Sequence, residues 1–394
     1  MKRICLCCLI GMLVFLFSCV EKELAPISGG TGKPDVVTEI SSVRTPGGAI
    51  ISYRIPSDAN VLSVKAVYIL SNGQTREASA SFYSGQLELE GFTDTLEHEA
   101  LLYTINRAQE ISEPAIAKFR PLEAPITKAI KSTAIESDFG GARFSWTNEY
   151  SKPLTFEVLA QDSITKMMLI ARIISSTLDT FSYTLRGYPD IPMKFGLLIS
   201  DNYGNVSDTI YPHGGILTPL HEEKFDKKIQ KILLLTGDVT FANWEGKNEY
   251  IIDDDLATFG HSYSATVPGA SFTLDIGKKA KLSRFVYQQR GDGDRWYKAG
   301  NAKTFEVYAY LGEDNPPPGD WNEWVKVVDA EVIKPSGSSS STVTDDDIIY
   351  AQAGHDFSFP LNLESVRFLR FKALTTWVSN YWHPIEITTY GVYE

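Results

Sequence analysis

Between Val36 and Ile216 apolar and polar residues alternate in short runs broken by Gly, Pro, Asn and Ser. A period of two marks strands with one face buried, and the breaking residues mark turns. Ala49 to Ile55, Val61 to Leu70, Glu77 to Tyr83, Gln86 to Glu90 and Ala100 to Asn106 read as successive strands of one sandwich ending near Pro121. The opening pattern then returns. Gly47-Gly48-Ala49-Ile50-Ile51-Ser52-Tyr53 recurs 93 residues later as Gly140-Gly141-Ala142-Arg143-Phe144-Ser145-Trp146, each copy followed by a polar turn with proline and an alternating strand, Val61 to Leu70 or Leu154 to Gln161. The repeat predicts two tandem sandwiches over 35–122 and 123–216, with Tyr53 and Trp146 pointing into the cores. The second closes with Phe195 to Ser200 and the turn-rich Asp201-Asn202-Tyr203-Gly204-Asn205. Nothing in either unit has a catalytic pattern.

His213 to Lys231 forms a connector whose mixed-charge stretch reads as a solvated strap rather than a helix. From about Lys231 onward, within a last region of connector and domain over 217–394, strands become more aromatic and loops longer: Ser271 to Ile276, Leu282 to Gln289, Thr304 to Leu311, Trp324 to Val328, Asp356 to Leu361, Val366 to Leu374 and Ile385 to Tyr390. That number and spacing predicts an antiparallel jelly roll, and the chain as a whole is expected to be all-β. Phe305 and Trp324 fall at core positions of alternating strands, and Trp321 beside Pro316-Pro317-Pro318 caps a loop. Asp345-Asp346-Asp347, after the low-complexity Ser336 to Ser341, reads as a solvated loop.

The N-terminus breaks this pattern. Lys2 and Arg3 precede an apolar run from Ile4 to Phe17, interrupted only by Gly11, and Leu16-Phe17-Ser18-Cys19 closes it. This predicts a signal peptide over 1–18, too short for a comfortable membrane span. Leu-x-Ser before Cys19 resembles a bacterial lipobox, which implies cleavage before Cys19, acylation of that cysteine and a flexible linker over 19–34. The cluster Glu21-Lys22-Glu23 resembles the export signal that carries Bacteroidetes lipoproteins to the outer face of the outer membrane. No second apolar stretch of spanning length follows.

Charge and cysteine content narrow the function classes. The chain of 394 residues has 37 basic and 49 acidic residues; losing Lys2 and Arg3 with the leader lowers the basic count to 35 and the balance to −14. Such an acidic body argues against a nucleic-acid partner, which needs a basic footprint. All four cysteines, Cys5, Cys7, Cys8 and Cys19, lie in the first 19 residues, so each domain outside the cell must rely on its own core or on a metal.

Several segments of the last domain carry a family likeness. Ile252-Asp253-Asp254-Asp255-Leu256-Ala257-Thr258-Phe259, Ser271 to Ile276, Val366-Arg367-Phe368-Leu369-Arg370-Phe371 and Ile385-Glu386-Ile387-Thr388-Thr389-Tyr390-Gly391 together resemble a discoidin, or coagulation-factor type C, domain with the galactose-binding-like fold. The two units before it resemble fibronectin type III-like modules, and the layout is similar to that of surface lipoproteins of Bacteroidetes glycan-uptake systems. The resemblance implies a structural calcium ion held by Asp253, Asp255, Thr258 and Glu386, since hard cations take oxygens from a tight loop. The chain departs from the family pattern at Asp254, where glycine is usual, and at Phe259, where tryptophan is usual.

A sugar site needs an aromatic face for the apolar side of a pyranose and a few polar groups for its hydroxyls. Arg290 to Tyr297 and Trp377 to His383 offer both in polar loop sequence, and His261 follows the acidic turn; the candidate contacts are His261, Arg290, Trp296, Tyr297, Trp377 and Trp382. The reading is a non-catalytic surface lipoprotein that captures polysaccharide or oligosaccharide for an outer-membrane transporter and surface glycoside hydrolases. Protein adhesion is the alternative. A glycoside hydrolase or lyase is a further one, though the chain has no Gly-x-Ser-x-Gly elbow and no His-Glu-x-x-His site.

Overall fold

The computed structural model describes residues 32–338 and 342–394. The expected signal peptide over 1–18, Cys19, most of the expected linker and the end of the serine run lie outside the described residues. Among the described residues no helix is long and apolar enough to cross a membrane, and the architecture is all-β with two short α-helices.

Strands β1 (Thr38–Thr45), β2 (Gly48–Arg54), β3 (Val61–Ile69), β4 (Thr75–Ser81), β5 (Gln86–Glu90), β6 (His98–Asn106) and β7 (Ala115–Phe119) build the first sandwich. Its sheets are ordered β1-β2-β5 and β4-β3-β6-β7, and all neighbours are antiparallel. The alternation places Ala49, Ile51, Tyr53, Val64, Leu89 and Leu102 inside, where Phe92 and Phe119 complete the core. The sequence pattern did not mark β1 because its TEISSVRT is exposed almost throughout. Helix α1 (Pro125–Ser132), also unmarked, starts with proline in its first turn and buries Ile126 and Ala129 at i, i+3 spacing.

The second sandwich contains β8 (Ala134–Asp138), β9 (Gly141–Thr147), β10 (Leu154–Gln161), β11 (Met168–Ser176), β12 (Thr180–Arg186) and β13 (Phe195–Asp201), with sheet orders β12-β9-β8 and β11-β10-β13. The sequence repeat is a repeat of backbone geometry. Gly47 and Gly140 both have φ +66°, a left-handed turn that glycine adopts without steric cost. A Cβ on Gly48 would stand 1.9 Å from the Leu89 carbonyl oxygen, and one on Gly141 would stand 1.8 Å from that of Leu185. β2 and β9 share one burial pattern, so Tyr53 and Trp146 occupy the same inward position.

Among the described residues, those up to Ala134 form one compact unit with Ser145–Ser182 and Gly196–Tyr211; a second unit gathers Ile135–Phe144, Tyr183–Phe195 and the described part of Pro212–Glu394. In the second, the strap contributes β14 (Glu223–Lys224) and β15 (Lys231–Leu233). The jelly roll is built on β16 (Ser271–Gln288), which runs through both strands expected there and pairs with β20 (Val366–Thr376) in its first half and β21 (Glu386–Tyr393) in its second. The corner lies at Gly277, φ +91°, where a Cβ would meet the Ile229 carbonyl oxygen at 2.8 Å. β17 (Ala302–Tyr310) and β18 (Trp324–Glu331) continue the sheet beyond β20 in the order β14-β21-β16-β20-β17-β18, while β15 and β19 (His355–Ser358) also pair with β16.

One feature of this unit differs from expectation. Asp345-Asp346-Asp347 does not form a solvated loop but opens helix α2 (Asp345–Ala353). Thr344 accepts from the Asp347 N–H and Asp347 accepts from the Thr344 N–H, a reciprocal cap, and three carboxylates in the first turn complement the helix dipole. Burial works to raise the Asp347 carboxyl, but the Thr344 and Ser336 N–H donors outweigh it and hold the group at about 2. Arg370 points inward from β20 with 0% exposure and pairs with the buried Asp238 carboxylate at 2.9 Å. Its other donors reach the Gly319 and Thr236 carbonyls, and Trp321 lies 3.9 Å from the guanidinium carbon. Trp321 thus covers a buried ion pair, while Trp324 packs in the core with its indole N–H donated to the Pro318 carbonyl.

Candidate functional site

The expected calcium cage does not assemble. The Thr258 hydroxyl donates to the Asp253 carboxylate at 2.9 Å, and the Asp255 N–H donates to it at 3.0 Å. Glu386 faces another set of partners: one oxygen accepts from the Lys227 ammonium at 2.6 Å, the other from the Asp254 N–H at 2.6 Å. Asp254 takes the left-handed conformation, φ +63°, that glycine would supply, at a steric cost that aspartate tolerates better than most residues. Burial pushes the Glu386 carboxyl up to about 7, against the pull of Lys227 and the Asp254 N–H. Burial works to raise Asp254 as well, but Lys224 and Lys227 outweigh it and hold that carboxyl below its usual range. A calcium ion needs six to eight oxygens. Here Glu386 is engaged by an ammonium and Asp253 by its own turn, and among the described residues no three His, Cys, Asp or Glu side chains converge. Asp253, Asp255, Thr258 and Glu386 therefore do not fit the ion.

A cleft of about 440 Å³ lies beside this turn, lined by Trp244, His261, Arg290, Arg295, Tyr381 and His383 among others. Its back wall forms where two segments pair: Ser262 N–H donates to the Trp382 carbonyl, and Trp382 N–H to the Ser262 hydroxyl, both at 2.9 Å. That register brings His261 and His383 side by side, ring centroids 6.0 Å apart, with Tyr381 stacked on His261 at 4.7 Å. Gly300 admits the pair of rings, since a Cβ there would fall 2.3 Å from His383 and 2.5 Å from Tyr381.

The protonation of these imidazoles follows from their surroundings. His261 Nδ1 lies 2.7 Å from the Ser262 carbonyl, which can only accept, so Nδ1 carries the proton and Nε2 keeps a free lone pair. Burial lowers the His261 pKa, helped by Arg290. His383 is 1% exposed and neither ring nitrogen has a hydrogen-bond partner. Burial, then Arg290 and His261, depress it to about 3, so it is uncharged at neutral pH. A buried polar ring without partners costs free energy.

The front of the cleft is charged but balanced. Arg290 grips Asp292 with two hydrogen bonds, 2.5 and 3.0 Å, and its guanidinium lies 3.5 Å from the centre of the Phe259 ring. Arg295 shares Asp292 at 3.1 Å. Arg290 is the main reason the Asp292 carboxyl sits below its usual range. Trp244 stands at the edge, 83% exposed, with its backbone in the left-handed region at φ +51°. A bulky residue both solvated and strained in this way is an outlier that points to function.

Of the six ligand contacts expected from sequence, His261 and Arg290 line this cleft. Trp382 does not: its ring is fully buried between Phe241, Phe272 and Phe305. Tyr297 is also core, with its hydroxyl donated to the Asp347 carbonyl. Trp377 packs edge-on against Tyr297, 5.3 Å between centroids. Trp296 borders a separate cleft with Leu256, Gln352 and Ile385. Tyr381 and His383 were within reach of the alternation rule: in an extended segment they share one face and Trp382 takes the other. Trp244 was legible only as an aromatic in a polar turn before Gly246.

Three family models match the chain, each described as a domain of unknown function: DUF4959 over residues 34–121, DUF5126 over 122–228 and DUF5000 over 244–391. No curated protein matches it. Among solved structures the chain is similar to a SusE-like protein, with 29% identity, 68% of this chain and 100% of that one covered, and a TM-score of 0.44. It is also similar to the family 32 CBM of C. perfringens NanJ, solved with galactose, at 13% identity over 43% of this chain and 98% of that one, TM-score 0.30. A fragment of a putative chitobiase from Bacteroides thetaiotaomicron aligns at 19% identity over 44% of this chain and 94% of that one, TM-score 0.33.

Proposed function

We propose that the C-terminal domain binds an uncharged carbohydrate in the cleft between Trp244, His261, Arg290, Tyr381 and His383. The observation that carries this reading is the exposed Trp244 ring on the same cleft as His261, whose Nδ1 is held by the Ser262 carbonyl so that Nε2 is left to accept. A hydroxyl donates to such an imidazole acceptor, so a polyol suits this wall where an apolar ligand would not. The exposed Trp244 ring supplies a face for the apolar side of a pyranose. Arg290 and Arg295 are offset by Asp292 and Glu245, and the histidines are uncharged, which favours a neutral sugar over a uronate or sulfate.

The carboxylates support binding rather than hydrolysis. Glu245 is the one carboxylate among the residues that line the cleft, whereas glycosidases require a pair flanking the scissile bond. In this reading the chain is a non-catalytic lipoprotein of the outer membrane, acylated at Cys19 and displayed on the cell surface. It captures polysaccharide for a glycan-uptake system and hands it to an outer-membrane transporter and surface glycoside hydrolases. The lipobox-like leader and the acidic cluster behind Cys19 support the location.

Native affinity electrophoresis in gels containing neutral and acidic polysaccharides, with parallel assays of released sugar, tests the proposal. Retardation by a neutral polymer without sugar release is the expected result. Release of sugar would make the chain an enzyme, and indifference to every polymer would favour protein adhesion.

A further inference from the structure

The buried ammonium of Lys227 has a setting unlike that of a surface lysine. Its side chain is 6% exposed. Nζ lies 2.6 Å from a Glu386 oxygen, 3.0 Å from the Thr388 hydroxyl and 3.0 Å from an Asp254 oxygen. These oxygens and the lysine come from three separate segments: Glu386 and Thr388 from β21, Asp254 from the acidic turn, and the lysine itself from the short helical turn Lys227–Ile229 in the strap. Lys224 reaches Asp254 from the solvent side at 2.6 Å, so two lysines balance two carboxylates. Glu386 accepts a donor on each of its two oxygens.

We infer that this pocket is a cation site filled from within the chain: the Lys227 ammonium ties the strap, the acidic turn and the last strand together, and the domain needs no divalent ion to do so. An ammonium presents three donors, matching the three oxygens around it. It cannot be removed by a chelator. Taking the ammonium away would leave the Glu386, Asp254 and Thr388 oxygens facing one another around a negative pocket, the kind of oxygen-rich setting hard cations occupy. The departure from glycine at Asp254 belongs to the same device, because its carboxylate supplies one of the three contacts.

The test compares the full-length protein with Lys227→Met, using thermal melting in EDTA or calcium chloride and terbium luminescence as a direct probe of ion uptake. Wild-type melting should be the same in both solutions. Lys227→Met should melt about 10 °C lower in EDTA, as expected when one partner of a buried pair is lost. It should recover several degrees in calcium and take up terbium at a site absent from wild type and abolished by adding Glu386→Gln. Terbium uptake by wild type that disappears in Glu386→Gln would overturn the inference. So would a Lys227→Met protein that takes up no terbium, which would mark an ordinary ion pair. If Lys227→Met does not fold, Lys227→Gln carries the same two readouts with a hydrogen-bond donor retained.

Discussion

Replacing Trp244 by glycine separates binding from folding. The ring is 83% exposed, so its removal forfeits little packing, and its backbone at φ +51° belongs to a region that costs a non-glycine residue about 1–2 kcal/mol. Glycine relieves that strain and returns about 0.5–1 kcal/mol of it through the greater freedom of the unfolded chain. The melting temperature should therefore hold or rise slightly. Binding should suffer. A pyranose stacked on the indole would cover about 50 Å² of apolar surface, or about 1.2 kcal/mol at 25 cal/mol per Å², and this corresponds to a five- to tenfold loss in affinity. Trp244→Ala should lose as much affinity while keeping the strain. Isothermal titration against the retarding polysaccharide, paired with calorimetric melting, reads both quantities. Undiminished affinity in Trp244→Gly, or a melting point several degrees lower, would refute the assignment of this residue to ligand rather than to fold.

Acid should destabilise the jelly roll through its buried histidines. Burial holds His383 at about 3 and His355 at about 4, below the unfolded value of 6.5. Over the interval between, the unfolded chain binds protons that the native state refuses, so this stability is complete above pH 6.5 and lost as pH falls. Each group forfeits about 2 kcal/mol between pH 7 and 5. Glu386, raised to about 7, acts in the opposite sense, so the difference between wild type and His383→Gln isolates the histidine; equal pH slopes in the two proteins would contradict the argument. Arg370→Met should cost about 3–5 kcal/mol by stranding the buried Asp238 carboxylate, read as a drop in the urea midpoint for the second unit, and a midpoint unchanged from wild type would show that the Ser271 and Thr273 hydroxyls, which donate to Asp238 at 2.6 and 2.9 Å, suffice for it.

The fold was legible where one face of a strand is buried and the other wet. β5 and β10 begin and end where alternation places them, and the Gly-Gly repeat located both sandwiches. Edge strands such as β1 were not legible, because an exposed edge has no inward apolar set to betray it. The acidic run at 345–347 misled because polarity alone does not distinguish a solvated loop from a capped helix start; Thr344 ahead of Asp347 was the available signal. At the site, chemistry pointed to the correct segments and missed the parity, selecting Trp382 instead of its neighbours Tyr381 and His383. The role of Lys227 had no local signature, since its three oxygen partners lie 27 to 161 positions away in sequence.

The twin glycine corners also bear on how such chains can be recognised. At Gly48 and Gly141 the carbonyl of a partner strand occupies the space of any side chain, and at Gly47 and Gly140 the backbone turns the wrong way for one. These four positions are closed to substitution for reasons of backbone alone, independent of what fills the core behind them. Two copies can thus drift until no core residue agrees and still carry the same two-letter mark ahead of an alternating strand. A scan for that mark, with the spacing of one sandwich between occurrences, would count the modules of a longer relative directly from its amino-acid sequence.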